Sequence, residues 1–130
     1  MAKGYSVLLV DDDKFLLEMY RKKFESKVES VELALSTEEA LARLREGLAP
    51  DILIIDIIMP GMDGIELLEA IRKQKLVPQA VVIMLTNESD RDKIEKAKSL
   101  GIQGYIVKAT SIPSEVVEEV LKIANVALKR

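Results

Sequence analysis

Val7-Leu8-Leu9-Val10-Asp11-Asp12-Asp13 and Ile52-Leu53-Ile54-Ile55-Asp56 are the stretches that decide the fold. Each is an unbroken apolar run that stops at carboxylates. Such a run, lacking the alternation of a half-exposed strand, needs cover on both faces, as an inner strand of a parallel sheet does. Val81-Val82-Ile83-Met84-Leu85 is a third run of this kind, whereas Val31-Glu32-Leu33-Ala34-Leu35 carries a charge between apolar positions, as an edge strand can. The expected strands are therefore Ser6 to Val10, Val31 to Leu35, Ile52 to Ile55, Ala80 to Leu85 and Gly104 to Val107.

Between them the period changes to that of a helix. Leu16, Leu17, Tyr20 and Phe24 form one stripe, and Ala40, Leu41, Leu44 and Leu48 repeat its offsets after Ser36, which with Glu39 spells a capping box. A third helix from about Gly64 carries Leu67, Leu68 and Ile71, and a fourth carries Ile94, Ala97 and Leu100. The last has Val117, Val120, Leu121, Ala124 and Leu128 on one face, with Ser111 as its expected N-cap. Strands alternating with helices, joined by right-handed crossovers with the charged strand at an edge, predict a doubly wound, five-stranded parallel sheet of order 2-1-3-4-5. This is the flavodoxin-like (βα)5 arrangement, and residues 1–130 are expected to form a single domain.

Composition narrows the chemistry. The 130 residues are 48% hydrophobic and 32% charged, enough apolar material for a core and too much for a disordered chain. Cys and His are both absent, so disulfides, thiolate nucleophiles, imidazole bases and a phosphohistidine carrier are excluded. A net charge of −3 gives no electrostatic footprint for nucleic acid or an anionic membrane. With no signal-peptide pattern after Met1 and no long apolar span, the expected location is cytoplasmic.

Ligands of open α/β sheets bind beyond the carboxyl ends of strands where strand order reverses, here between the first and third strands. Asp11 and Asp12 lie at one of those ends and Asp56 at the other. Crowded carboxylates raise one another's pKa, and a hard divalent cation such as Mg²⁺ relieves them. Asp is also ordinary after a strand, where it caps the next helix, and Asp13 is expected to do that. Thr86 and Lys108 end the fourth and fifth strands, adding a hydroxyl and an ammonium to the same rim. Together these groups suit a phosphoryl group, with Asp56 as the carboxylate able to attack phosphorus.

Leu8-Leu9-Val10-Asp11-Asp12, Asp56-Ile57-Ile58-Met59-Pro60-Gly61-Met62-Asp63-Gly64, Met84-Leu85-Thr86 and Tyr105-Ile106-Val107-Lys108 resemble, in order and spacing, the receiver domain of bacterial response regulators, of the chemotaxis-regulator kind. The resemblance spans nearly the whole chain. It implies a two-component signalling switch that promotes only its own phosphorylation and dephosphorylation and is not otherwise an enzyme. Asp56 would accept a phosphoryl group from a sensor histidine kinase or phosphotransfer protein. Mg²⁺ would be bound by Asp12, Asp56 and the carbonyl of Ile58, with Asp11 ligating through water. Lys108 would pair with the phosphoryl group, Thr86 would move to hydrogen-bond it, and Tyr105 would be the aromatic switch. A downstream protein would bind the surface of the fourth helix, fifth strand and fifth helix.

The chain departs from the family pattern in having Ala109, not proline, after Lys108, so a trans peptide is expected there. Ile58 puts a branched apolar group beside the acceptor, where with Glu88 it would hinder a hydrolytic water. Arg91, Lys93, Lys96 and Lys98 on the fourth helix and Glu115, Glu118 and Glu119 on the fifth would allow a crosswise homodimer, although solvated helix faces explain the same charges. Two alternatives keep the fold but change the function. A flavodoxin-like small-molecule binding module needs a hydroxyl-rich phosphate loop where Asp11, Asp12 and Asp13 stand, and an Asp-nucleophile phosphatase needs a second acid where Ile58 stands. Whether an output domain follows Arg130 in the encoded protein is left open.

Overall fold

The computed structural model describes residues 4–86, 91–108 and 112–128. In chain order it contains β1 (Ser6–Val10), α1 (Lys14–Glu25), β2 (Ser30–Ala34), α2 (Thr37–Arg45), β3 (Ile52–Asp56), α3 (Gly64–Lys73), β4 (Val81–Thr86), α4 (Arg91–Ser99), β5 (Gly104–Val107) and α5 (Pro113–Leu128). The strands pair parallel in the order β2-β1-β3-β4-β5, as the sequence predicts. Among the described residues no helix is long and apolar enough to cross a membrane.

Strand alternation divides the core in two. Val7, Leu9, Ile52, Ile54, Val81, Ile83, Leu85 and Ile106 face one side, covered by Leu17, Tyr20 and Phe24 of α1 and Val116, Val117 and Val120 of α5. Leu8, Val10, Leu53, Ile55, Val82 and Met84 face the other, covered by α2, α3 and Ala97 of α4. The three apolar runs are buried throughout because both faces are packed.

The boundaries differ from the sequence reading where polar groups intervene. β2 runs Ser30–Ala34, one residue earlier than expected, because Leu35 leaves the ladder and gives its amide to the Glu39 carboxylate at 2.9 Å. That contact also alters the expected capping box. Ser36 does accept from the Glu39 amide, at 3.0 Å, but the returning bond goes to Leu35 instead of Ser36. A complete box forms at α3, where Asp63 accepts from the Glu66 amide at 2.8 Å and Glu66 from the Asp63 amide at 3.0 Å. Asp13 caps α1 as expected, accepting from the Leu16 amide at 3.1 Å. β3 and β4 each run one residue past their apolar stretch, so that Asp56 pairs with Leu85 and Thr86 with Val107 inside the ladder. The expected cap Ser111 lies outside the described residues.

Gly64 closes the loop after β3. Its amide donates to the Ile57 carbonyl at 2.9 Å, and a Cβ there would stand 2.2 Å from the Asp56 carbonyl oxygen and 2.9 Å from the Ile57 Cα. Both obstacles are backbone. At Gly104 a Cβ would meet only the Cδ1 tip of Ile123, at 2.8 Å, which can rotate away. Gly64→Ala is therefore expected to lower stability by about 3 kcal/mol or more and Gly104→Ala by about 1 kcal/mol, measured by urea unfolding. Equal losses would refute the contrast.

Candidate functional site

The alternation that sorts the core also assembles the rim. Asp11 continues the face of Val7 and Leu9, Asp56 that of Ile52 and Ile54, and Lys108 that of Ile106, the side packed by α1 and α5. The three therefore meet over one edge of the sheet. Lys108 Nζ lies 2.8 Å from Asp11 Oδ2 and 3.6 Å from Asp56 Oδ2, with its side chain only 10% exposed. The other Asp11 oxygen accepts from the Asp13 amide at 3.0 Å, which fixes the carboxylate between the lysine and the start of α1.

Asp56 is 3% exposed, and its buried Oδ1 has no hydrogen-bond partner among the described residues. A buried carboxylate oxygen without a donor carries a desolvation cost. Burial first, and the Asp11 carboxylate next, push the Asp56 carboxyl from its ordinary 3.8 up to about 6, with the Lys108 ammonium pulling the other way. Lys108 itself is held above its ordinary value: burial lowers it, but the bond from Asp11 and the charges of Asp56 and Asp11 outweigh that.

Asp12 is exposed and completes the acidic group, since Asp11, Asp12 and Asp56 each bring one carboxylate oxygen to within 4.8 Å of the others. Three carboxylates offering hard oxygen donors, one of them carrying the unpartnered Oδ1 of Asp56, fit a divalent cation of the Mg²⁺ or Ca²⁺ type and suit soft metals poorly. Ile58 stands two residues beyond Asp56 and is 55% exposed.

Thr86 is buried at the end of β4 and Tyr105 is 42% exposed on β5. In the ladder Thr86 pairs with Val107 and Met84 with Tyr105, so Thr86 and Tyr105 share the face opposite to that of Asp56. Lys98 of α4 lies over the Tyr105 ring at 5.5 Å. The basic residues of α4 find acids close by: Lys93 is 3.5 Å from Asp63, Lys96 3.2 Å from Glu69 and Lys98 3.4 Å from Glu95. The lysines invoked for crosswise pairing with α5 are thus matched within the chain. Glu88 and the Lys108–Ala109 peptide lie outside the described residues.

Sequence reasoning missed two neighbours of the rim. Tyr20 was read only as core; burial raises its hydroxyl pKa, and Lys108, Asp11 and Asp56 are all near enough to act on it. Thr37 was not singled out, yet its buried hydroxyl donates to the Met62 carbonyl at 2.6 Å, in the loop that leaves Asp56. No local pattern signals a contact between these two segments.

A family model of the response regulator receiver domain matches residues 7–120. The chain is similar to a chemotaxis protein CheY of Halobacterium salinarum, 37% identical over 88% of this chain and 91% of that protein. It is 33% identical to the phosphate regulon transcriptional regulatory protein PhoB of Rhizobium meliloti over 82% of this chain, but spans only 47% of that relative. Among solved structures, a CheY-like receiver domain protein of Methanospirillum hungatei superposes with a TM-score of 0.85 at 28% identity, covering 97% of this chain and 98% of that one. CheY4 of Vibrio cholerae gives 0.82 at 29% identity, covering 92% and 98%. With the matched region running from the first core strand into the last helix, the chain belongs to the response regulator receiver domain family.

Proposed function

We propose that this chain is a single receiver domain that takes a phosphoryl group onto Asp56 from the phosphohistidine of a sensor histidine kinase or phosphotransfer protein. The observation that carries this reading is the buried Asp56 Oδ1, which has no hydrogen-bond partner among the described residues and lies in a group with Lys108 and two further carboxylates. Above pH 6 the carboxylate is mostly ionised, so an oxygen lone pair is available to attack phosphorus. As the oxygen–phosphorus bond forms, the phosphorus–nitrogen bond breaks and its electron pair stays with the donor imidazole. Lys108 then exchanges part of its contact with Asp11 for a phosphoryl oxygen. Asp12, Asp56 and the Ile58 carbonyl, with Asp11 through water, are the residues that would hold Mg²⁺, whose charge neutralises the phosphoryl oxygens. Exposed Phe15 at the start of α1, Ile58 and Ile112 before α5 follow three of the strand ends and offer the donor protein an apolar rim.

The output reading rests on Thr86 and Tyr105 sharing a sheet face. If the Thr86 hydroxyl turns to the phosphoryl group, the space it leaves admits the Tyr105 ring, which withdraws from the α4, β5 and α5 surface. A groove of about 370 Å³ there, lined by Lys98, Ile102, Gly104, Tyr105, Glu119 and Ile123, is where a downstream protein would register the change.

Four outcomes test this. With acetyl phosphate and Mg²⁺, intact mass should show one adduct on the wild type and none on Asp56→Asn, and Asp12→Asn should weaken Mg²⁺ binding in a titration. A phosphorylated Asp56→Asn protein would overturn the assignment. The pH dependence of stability follows from the raised carboxyl. Between 3.8 and about 6 the unfolded chain has released this proton while the folded chain holds it, so the contribution is favourable at low pH and is lost as pH rises. In metal-free buffer at pH 7 to 8, Asp56→Asn should be more stable than wild type by on the order of 1 to 3 kcal/mol, with the difference fading below about pH 4. Urea unfolding at the two pH values checks it, and an equal gain at both would contradict it. Finally, Thr86→Ala should be phosphorylated but respond weakly, having lost a bond to a charged acceptor worth about 1.5 to 3 kcal/mol. Amide NMR with beryllofluoride should show wild-type shifts reaching α4 and β5, and an equally extensive response in Thr86→Ala would sink the coupling.

A further inference from the structure

Thr37 is the first residue of α2, and Ser36 already supplies the helix cap. Its hydroxyl is therefore not needed by its own helix. A buried hydroxyl must find a partner, and this one reaches across to the Met62 carbonyl at 2.6 Å, a short bond for a neutral pair. The next residue turns the same way. Glu38 Oε2 faces the Met62 amide at 3.4 Å, and its Oε1 lies 3.3 Å from the Thr37 hydroxyl. Bonds from its own amide and from that of Met62 lower the Glu38 carboxyl, which stays ionised at the mouth of α2. Gly61 has φ +72, and a Cβ on it would stand 3.1 Å from Glu38 Oε2, so the loop lies directly against this carboxylate.

The loop from Ile58 to Met62 leaves β3 with the Ile57 amide bonded to Leu85 at 2.9 Å and enters α3 with the Gly64 amide bonded to the Ile57 carbonyl at 2.9 Å. Both of these anchors sit at the loop's base. Thr37 and Glu38 hold its far side, from a different layer of the fold. The Ile58 carbonyl lies between the anchors, and its direction depends on how the far side is held.

We infer that Thr37, assisted by Glu38, is a positioning residue for phosphorylation, clasping the loop after Asp56 through Met62 so that the Ile58 carbonyl and the Asp56 carboxylate are presented together. This rests on the reading of Asp56 as the acceptor. It adds that α2, which supplies none of the rim residues, sets how well the rim binds its cation. The same clasp gives α2 a route to the site: anything that pulls its first turn away frees Met62.

The test uses the full chain carrying Thr37→Val, which keeps the shape and deletes the donor, Thr37→Ser, which restores it, and Glu38→Gln, a change at an exposed position outside the core. Amide hydrogen exchange of the metal-free proteins should show the Met62 amide exchanging faster in Thr37→Val, with the β1 and β3 amides unchanged. Mg²⁺ titration should show affinity lowered by about twofold to tenfold, the span of one neutral hydrogen bond, with Thr37→Ser close to wild type and Glu38→Gln between them. Wild-type Mg²⁺ affinity and Met62 protection in Thr37→Val, or a loss that Thr37→Ser fails to restore, would overturn the clasp. Should wild type take no phosphoryl group from acetyl phosphate, the acceptor reading fails, while exchange and titration still judge the clasp.

Discussion

Two buried carboxylates sharing one ammonium, with a third carboxylate beside them at the edge of a sheet packed on both faces, are the constraint that the rest of this molecule accommodates. Asp11 takes the closer contact with Lys108, at 2.8 Å, and Asp56 is left with the longer one, at 3.6 Å, and with an oxygen that no described residue satisfies. The imbalance leaves the Asp56 carboxylate the less satisfied of the two. A carboxylate satisfied by several donors is a poor nucleophile and a poor metal ligand, whereas one held half-satisfied in a dry place gains from a cation and from a phosphoryl group alike. The fold supplies the force that keeps it there, because both faces of β1 and β3 are packed with aliphatic side chains and the rim cannot relax without disturbing them.

The same geometry sorts the rim side chains between the two faces of the sheet. Period-two alternation puts Asp11, Asp56 and Lys108 on the face of α1 and α5, and Thr86 and Tyr105 on the face of α2, α3 and α4. Thr86 stands at the boundary, next in its strand to Leu85, which pairs with Asp56. The loop after Asp56 has a comparable position, tied to β4 through Ile57 and to α2 through Met62. Two elements without rim carboxylates are thereby tied to the strand end that carries Asp56.

The strand order and rim residues were legible because each rests on a local pattern. The runs Val7 to Val10 and Ile52 to Ile55 cannot be half-exposed, and a residue that ends an inner strand at the switch point has few places to be. The slip at β2 and the half-formed box at Ser36 share a cause: Glu39 can bond either of two neighbouring amides, and the choice of Leu35 depends on where that residue leaves the sheet. Asp63 was read as part of a motif, and its service as the α3 cap was overlooked although Glu66 spelled the box. The Thr37 clasp and the nearness of Tyr20 to Lys108 join segments far apart in sequence, and only packing brings them together. The charges of α4 were legible as charges, but Asp63 and Glu69 as their partners were not, because they belong to the neighbouring helix.

The central claim, that the rim holds Asp56 in a half-satisfied state which a cation relieves, is tested most directly by carbon-13 NMR titration of its carboxyl carbon with and without Mg²⁺. A midpoint near 6 in metal-free protein, falling by a unit or more when Mg²⁺ is added, is the predicted result. A midpoint at the ordinary 3.8 under both conditions would contradict it.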